Sequence, residues 1–119
     1  MGISMGSDDR NLASLWDMAQ AMGEILEDTQ ELTEQDFLDS RLIRRAVERN
    51  FEILGEAAGR ISFDFREAHS EIDWRRIVGL RNIIIHRYEE VDPVVLWAIV
   101  VDVLPTLLTQ IEGLMPPIE

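Results

Sequence analysis

The stretch DWRRIVGLRNIIIHRYEEVDP, Asp73 to Pro93, holds two helix beginnings and the gap between them. Asp73 is a good N-cap, and Trp74, Ile77, Val78 and Ile84 follow it at spacings that put them on a core-facing stripe. Asp92 with Pro93 repeats the signal, because proline at the first helical position loses no hydrogen bond that the helix could have made. A helix that must stop before Asp92 gives out near His86. Arginine, asparagine, histidine and tyrosine side chains therefore surround an otherwise apolar run, and the same break that organises the fold collects the groups able to do chemistry.

Working outward, the second of these helices runs from Pro93 to about Glu112 and is expected to kink at Pro105. It is apolar nearly all round from Val94 to Leu104, which fits either a central helix covered by its neighbours or a helix buried against a second copy of the chain. Upstream, Ser7 is the expected N-cap of a helix over Asp8 to Glu31, with Leu12, Leu15, Trp16, Ala19, Met22 and Leu26 on one stripe. Thr33 and Asp36 form a variant capping box that opens a long helical region from Glu34 to about Phe65, kinked near Asp39 and Ser40. Leu42, Ala46, Val47, Phe51, Leu54, Ala58 and Ile61 supply its buried face, and Gly55 marks a close helix contact. No strand alternation or internal repeat occurs. The expectation is an all-α chain forming an antiparallel four-helix bundle, with residues 1–7 as a flexible tail and residues 8–115 as one domain.

Composition narrows the chemistry. The 119 residues contain no cysteine, so thiolate catalysis, disulfides and cysteine-based zinc sites are excluded, and a cytoplasmic setting is compatible. The opening MGISMGS lacks the basic segment and apolar run of a signal peptide, and the apolar run Val94 to Val101 falls short of the roughly 20 residues that span a bilayer. Net charge is −12 and lysine is absent, so every basic side chain is an arginine or a histidine. Ten of the eleven arginines fall within residues 41–90, against nine acids there, whereas residues 1–40 hold ten acids and one arginine. Any anion site lies in that central half. Arginine favours planar, bidentate gripping of phosphate or carboxylate, although arginines pairing with glutamates along solvated helices account for most of them in the plainer reading.

Arg81, His86 and Tyr88 are the candidate constellation. Arg81 and Tyr88 are two helical turns apart, while His86 lies about 140° round from Arg81, so a straight helix does not cluster all three. They converge if the helix breaks after His86. Histidine can donate or accept a proton near neutral pH, and arginine can clamp the oxygens of a reacting phosphate. Spacing alone leaves open whether the trio merely closes a helix.

The run RNIIIHRY, Arg81 to Tyr88, resembles the Arg-x4-His-x-Tyr motif of the HEPN superfamily, and its HepT-like toxin branch in particular. RRAVERNFEILGEAAGRIS (Arg44 to Ser62), IDWRRIVGLRNIIIHRYEEVD (Ile72 to Asp92) and VLWAIVVDVLPTLLTQIE (Val95 to Glu112) are similar to that branch in order and spacing. The resemblance implies a homodimeric helical bundle whose two motifs share a cleft. It implies a metal-independent endoribonuclease toxin that needs no cofactor, cuts mRNA or tRNA, and is paired with an MntA-like nucleotidyltransferase antitoxin. By it, Arg81 binds the scissile phosphate, His86 transfers a proton, Asn82 orients phosphate or base, and Tyr88 is the residue on which the partner places AMP. Arg87, at a variable position inside the motif, adds either a second phosphate ligand or a partner contact.

Other signals are weaker. His69 has no histidine at metal spacing, and the acid pairs Asp8-Asp9, Glu27-Asp28 and Glu89-Glu90 diverge on a helix, so no metal site is expected. Trp16, Trp74 and Trp97 are expected in core or interface. The competing reading is a non-catalytic helical module that accepts nucleotides on Tyr88 or docks a nucleotidyltransferase.

Overall fold

The computed structural model describes residues 7–86 and 92–116, with the backbone alone for Ser7, Asp8 and residues 82–86. Among them are seven helical segments: α1 (Ser7–Thr29), α2 (Glu34–Asp39), α3 (Arg41–Gly59), α4 (Phe63–Ala68), α5 (Trp74–His86), α6 (Pro93–Asp102) and α7 (Leu104–Gly113). The all-α expectation holds, but two of the four expected helices are divided.

The expected helix from Glu34 to Phe65 is three segments, and the divisions follow from serine chemistry. Ser40 takes an extended conformation and its hydroxyl accepts from Ile43 N, so the expected kink is a new helix start. Ser62 does the same for Phe65 N at the head of α4. Between them α3 stops at Gly59 without any left-handed residue, and its free carbonyls are met from downstream. Arg66 Nε donates to Ile61 O at 3.1 Å, while one of its terminal nitrogens donates to Ala58 O and Gly59 O at 3.0 and 3.2 Å. Arg44 likewise donates to Leu38 O at the end of α2.

The kink expected at Pro105 is a break that bends α6 and α7 by 48°. Proline at the second position of α7 removes a donor and crowds the carbonyl four residues back, so the chain turns just upstream at Val103. Among the described residues no single helix is long and apolar enough to cross a membrane.

Local caps agree with their sequence signals. Thr33 Oγ1 accepts from Asp36 N at 3.1 Å and Asp36 returns the bond to Thr33 N at 3.0 Å. Asp92 Oδ1 accepts from Val94 N at 2.9 Å, and Asp73 Oδ1 accepts from Arg76 N at 3.2 Å. Ser7, the expected N-cap, is instead itself helical.

α3 is the central helix, packed on one side against α1 and on the other against α5, while α7 lies on α1 and α6 bridges α7 and α2. The core runs through Met18, Met22, Ile25, Phe37, Val47, Phe51, Leu54, Leu104 and Ile111. Asn11, buried on α1, holds both groups of Ser62: its Nδ2 donates to Ser62 Oγ at 3.1 Å and its Oδ1 accepts from Ser62 N at 2.9 Å.

Two stripe residues are not where periodicity puts them. Trp16 is 45 % exposed and Leu42 is 80 % exposed, because their stripes are wider than the neighbour each helix meets. Trp74 is buried and its indole donates to His69 O at 3.0 Å; Trp97 is half-buried with its ring 5.3 Å from that of Phe37.

Candidate functional site

Arg81 springs from the closest approach of two helices. A Cβ added to Gly55 would stand 2.7 Å from Arg81 Cβ, 2.9 Å from Arg81 N and 3.1 Å from Ile77 O. Distances below 3.0 Å to backbone cannot be relieved by turning a side chain, so α3 and α5 meet here only because residue 55 lacks a side chain. The root of Arg81 is thereby fixed against α3. Its Nε is buried and has no hydrogen-bond partner among the described residues. A buried donor left unmade costs about 1–3 kcal/mol, and an anionic oxygen recovers that cost with a charge-assisted bond.

The backbone of α5 is helical through His86, so register places the other motif residues. Asn82 lies about 100° round from Arg81, and His86 lies about 140° round and about 7.5 Å further along the axis. Arg81 is thus the motif side chain that the structure describes; it brings the backbones of Asn82 and His86 onto the same helix without describing their side chains. Arg87 and Tyr88, and the expected break beyond His86, lie outside the described residues.

The other arginines are used less for ion pairs than composition suggests. Arg60 pairs with Glu56 at 2.9 Å and Asp17 at 3.6 Å, and Arg49 with Glu52 at 3.7 Å. Arg44 and Arg66 cap helix ends instead, and nothing in the sequence near them announced that role. Arg41, Arg75, Arg76 and Arg81 make no ion pair among the described residues.

Glu48 shares the Gly55 face of α3, seven residues earlier. Burial pushes its carboxyl above the usual range, with Arg45 and Arg44 opposing the shift and Glu52 adding to it. A raised folded-state pKa means this group favours folding most below its unfolded pKa, a contribution lost as pH rises through the folded value. Glu48→Gln is therefore expected to raise the melting temperature at pH 7 and to change it little at pH 4. Thermal melts at the two pH values check this; an equal change at both would remove the titration argument.

Among the described residues, no group of three or more histidine or acidic side chains could hold a metal ion.

The chain matches the ribonuclease HepT-like family over residues 18–114. It is 41% identical over 100 residues, covering 84% of this chain and 91% of the other, to a protein of Thermococcus cleftensis named as a probable ribonuclease HepT. Over 100 residues it is 38% identical to a protein of Methanocaldococcus jannaschii named as a putative RNase, covering 84% and 92% of the two chains. A putative RNase of Caldanaerobacter subterraneus is 31% identical over 91 residues, covering 76% and 81%. No solved structure gives a significant match. With helices throughout the described residues, and a family match over residues 18–114 joined by relatives 31–41% identical over most of both chains, the chain belongs to the HepT-like ribonuclease family.

Proposed function

We propose that this chain is a single-domain, metal-independent endoribonuclease toxin, active as a homodimer and held in check by an MntA-like nucleotidyltransferase antitoxin. The observation that carries the reading is Arg81: a guanidinium rooted at a backbone contact, with a buried, unpartnered Nε, five residues before the motif histidine. Arg81 holds the non-bridging oxygens of the scissile phosphate and stabilises the charge that grows there. The 2′-hydroxyl of the RNA attacks the adjacent phosphorus, the bond to the 5′-oxygen breaks, and a 2′,3′-cyclic phosphate and a 5′-hydroxyl result. His86 carries the proton in this exchange, and Asn82 and Arg87 orient the phosphate.

A second copy is supported by α6 and the residue that follows it, where Val94, Val95, Val101 and Val103 are 41–54 % exposed. Tyr88 is the regulatory residue. Its phenolic oxygen attacks the α-phosphorus of ATP, pyrophosphate leaves, and the tyrosyl-AMP adds negative charge and bulk in the path of RNA.

Purified protein freed of nucleotide is expected to cut RNA in EDTA and leave cyclic phosphate ends. After co-expression with the neighbouring nucleotidyltransferase its intact mass is expected to rise by whole AMP units, and Tyr88→Phe is expected to abolish the increments. Protein that cuts no RNA, and is harmless in cells with or without the nucleotidyltransferase, would replace this reading with the non-catalytic module.

A further inference from the structure

The side of α5 that turns away from its neighbours carries a stripe of its own. Ile77 and Arg81 meet α3 at Gly55, and Ile77 and Leu80 border a cavity shared with α6 and α7. At about 100° per residue, positions 75, 79, 82 and 86 fall together on the opposite side, spanning about 16 Å along the axis. Two of these positions are Asn82 and His86 of the motif. The third, Arg75, is exposed and makes no ion pair among the described residues. The fourth is Gly79, where an added Cβ would meet nothing within 4 Å. Among the described residues, nothing stands against the stripe at Gly79, between Arg75 and the motif positions.

Arg75 also borders a shallow depression of about 710 Å³ together with Phe63, which opens α4 and is 73 % exposed. An aromatic ring that much in water is unusual in a chain that buries Phe37 and Phe51 completely. Arg66 borders the same depression, but its guanidinium is committed to the end of α3. Glu67, Glu71 and Asp73 line it as well; Asp73 accepts from Arg76 N at 3.2 Å and Glu71 Oε1 stands 3.7 Å from His69 Nδ1. Arg75 is the cation there whose charge is not otherwise spent on the protein.

We infer that Arg75 and Phe63 form a subsite for a nucleotide of single-stranded RNA a few positions from the cleaved bond, on the side of α5 that carries positions 82 and 86. Arg75 binds its phosphate and Phe63 stacks its base, the usual pairing of groups in single-strand recognition. The inference rests on the ribonuclease reading above for its substrate. It adds a second anchoring point, far enough from His86 to require a substrate longer than a dinucleotide.

The test measures KM on single-stranded oligonucleotides of increasing length with the full-length protein. Arg75→Ala is expected to raise KM about tenfold on oligonucleotides that span α5, the loss of one charge-assisted contact, and the penalty shrinks as the substrate is shortened. Its effect appears in KM rather than kcat, and the slope of log affinity against log salt falls by about 0.7. Phe63→Ala raises KM comparably with an unaltered salt slope, because stacking releases no counterions. Arg76→Ala removes the same charge from the neighbouring residue, on the side facing α6 and α7, and keeps the wild-type KM. Equal KM in wild type and Arg75→Ala, a penalty independent of length, or a changed molecular mass in light scattering would overturn the inference; the last would make this face a protein contact. Binding of a 2′-deoxy oligonucleotide is measured alongside. A wild type that cuts nothing sinks the ribonuclease reading, while the binding series still decides the subsite.

Discussion

His86→Ala is expected to lower the rate of RNA cleavage in EDTA about 10³-fold, the usual worth of a positioned proton-transfer group. Arg81→Ala is expected to fall by a similar factor, since removing one donor to the developing charge costs roughly 10²–10³. The double variant is expected to lose little more than either single one, because the two act in the same transition state. Stability separates function from structure at Arg81. Truncation removes the buried, unpartnered Nε, so Arg81→Ala is expected not to lower the melting temperature while activity collapses. Arg81→Lys keeps the charge but loses the planar fork, and recovers only part of the rate. Identical RNA profiles for wild type and His86→Ala would end the catalytic assignment.

Gly55→Ala is the second large effect, and it comes from a residue that touches no substrate. The methyl would lie 2.7 Å from Arg81 Cβ and 2.9 Å from Arg81 N, so α5 must move away from α3. Overpacking of this kind costs about 1–3 kcal/mol, or a drop of roughly 4–8 °C in melting temperature per kcal/mol for a domain near this size. Displacement of the Arg81 root by a fraction of an ångström also mispositions the guanidinium, and an error approaching 1 Å costs about 10²-fold in rate. Cleavage is measured well below the variant's melting temperature and set against Leu54→Val, a cavity variant on the same helix. A Gly55→Ala protein that melts lower but keeps the wild-type kcat would show that the contact serves packing alone.

How far the sequence could be read depended on the range of each interaction. The caps at Thr33, Asp73 and Asp92 are set by residues two or three apart and appear in the structure as the sequence implies. Ser40 and Ser62 carried the same kind of signal. Ser40 was legible as a kink and Ser62 not at all, because the apolar spacing runs straight across both. Trp16 and Leu42 show the limit of periodicity: it finds an apolar stripe but not the width of the neighbour that covers it. The helix contact at Gly55 could be read from the sequence, whereas its partner Arg81 lies 26 positions away and belongs to packing. Arg66 was legible as one more basic residue, and its use as a cap for α3 required the corner to be built. The motif was recognisable as a family pattern, while spacing by itself kept Arg81 and His86 on different faces of α5.

Trp74 gives this arrangement an optical consequence. It is the first residue of α5, is 5 % exposed, and its indole is tied to His69 O, whereas Trp16 stands 45 % exposed on α1. A soluble quencher such as acrylamide therefore reaches Trp16 first and Trp74 last. The shielded part of the emission reports whether the helix that carries Arg81 is seated, so the protein can announce the state of its own site without any added label.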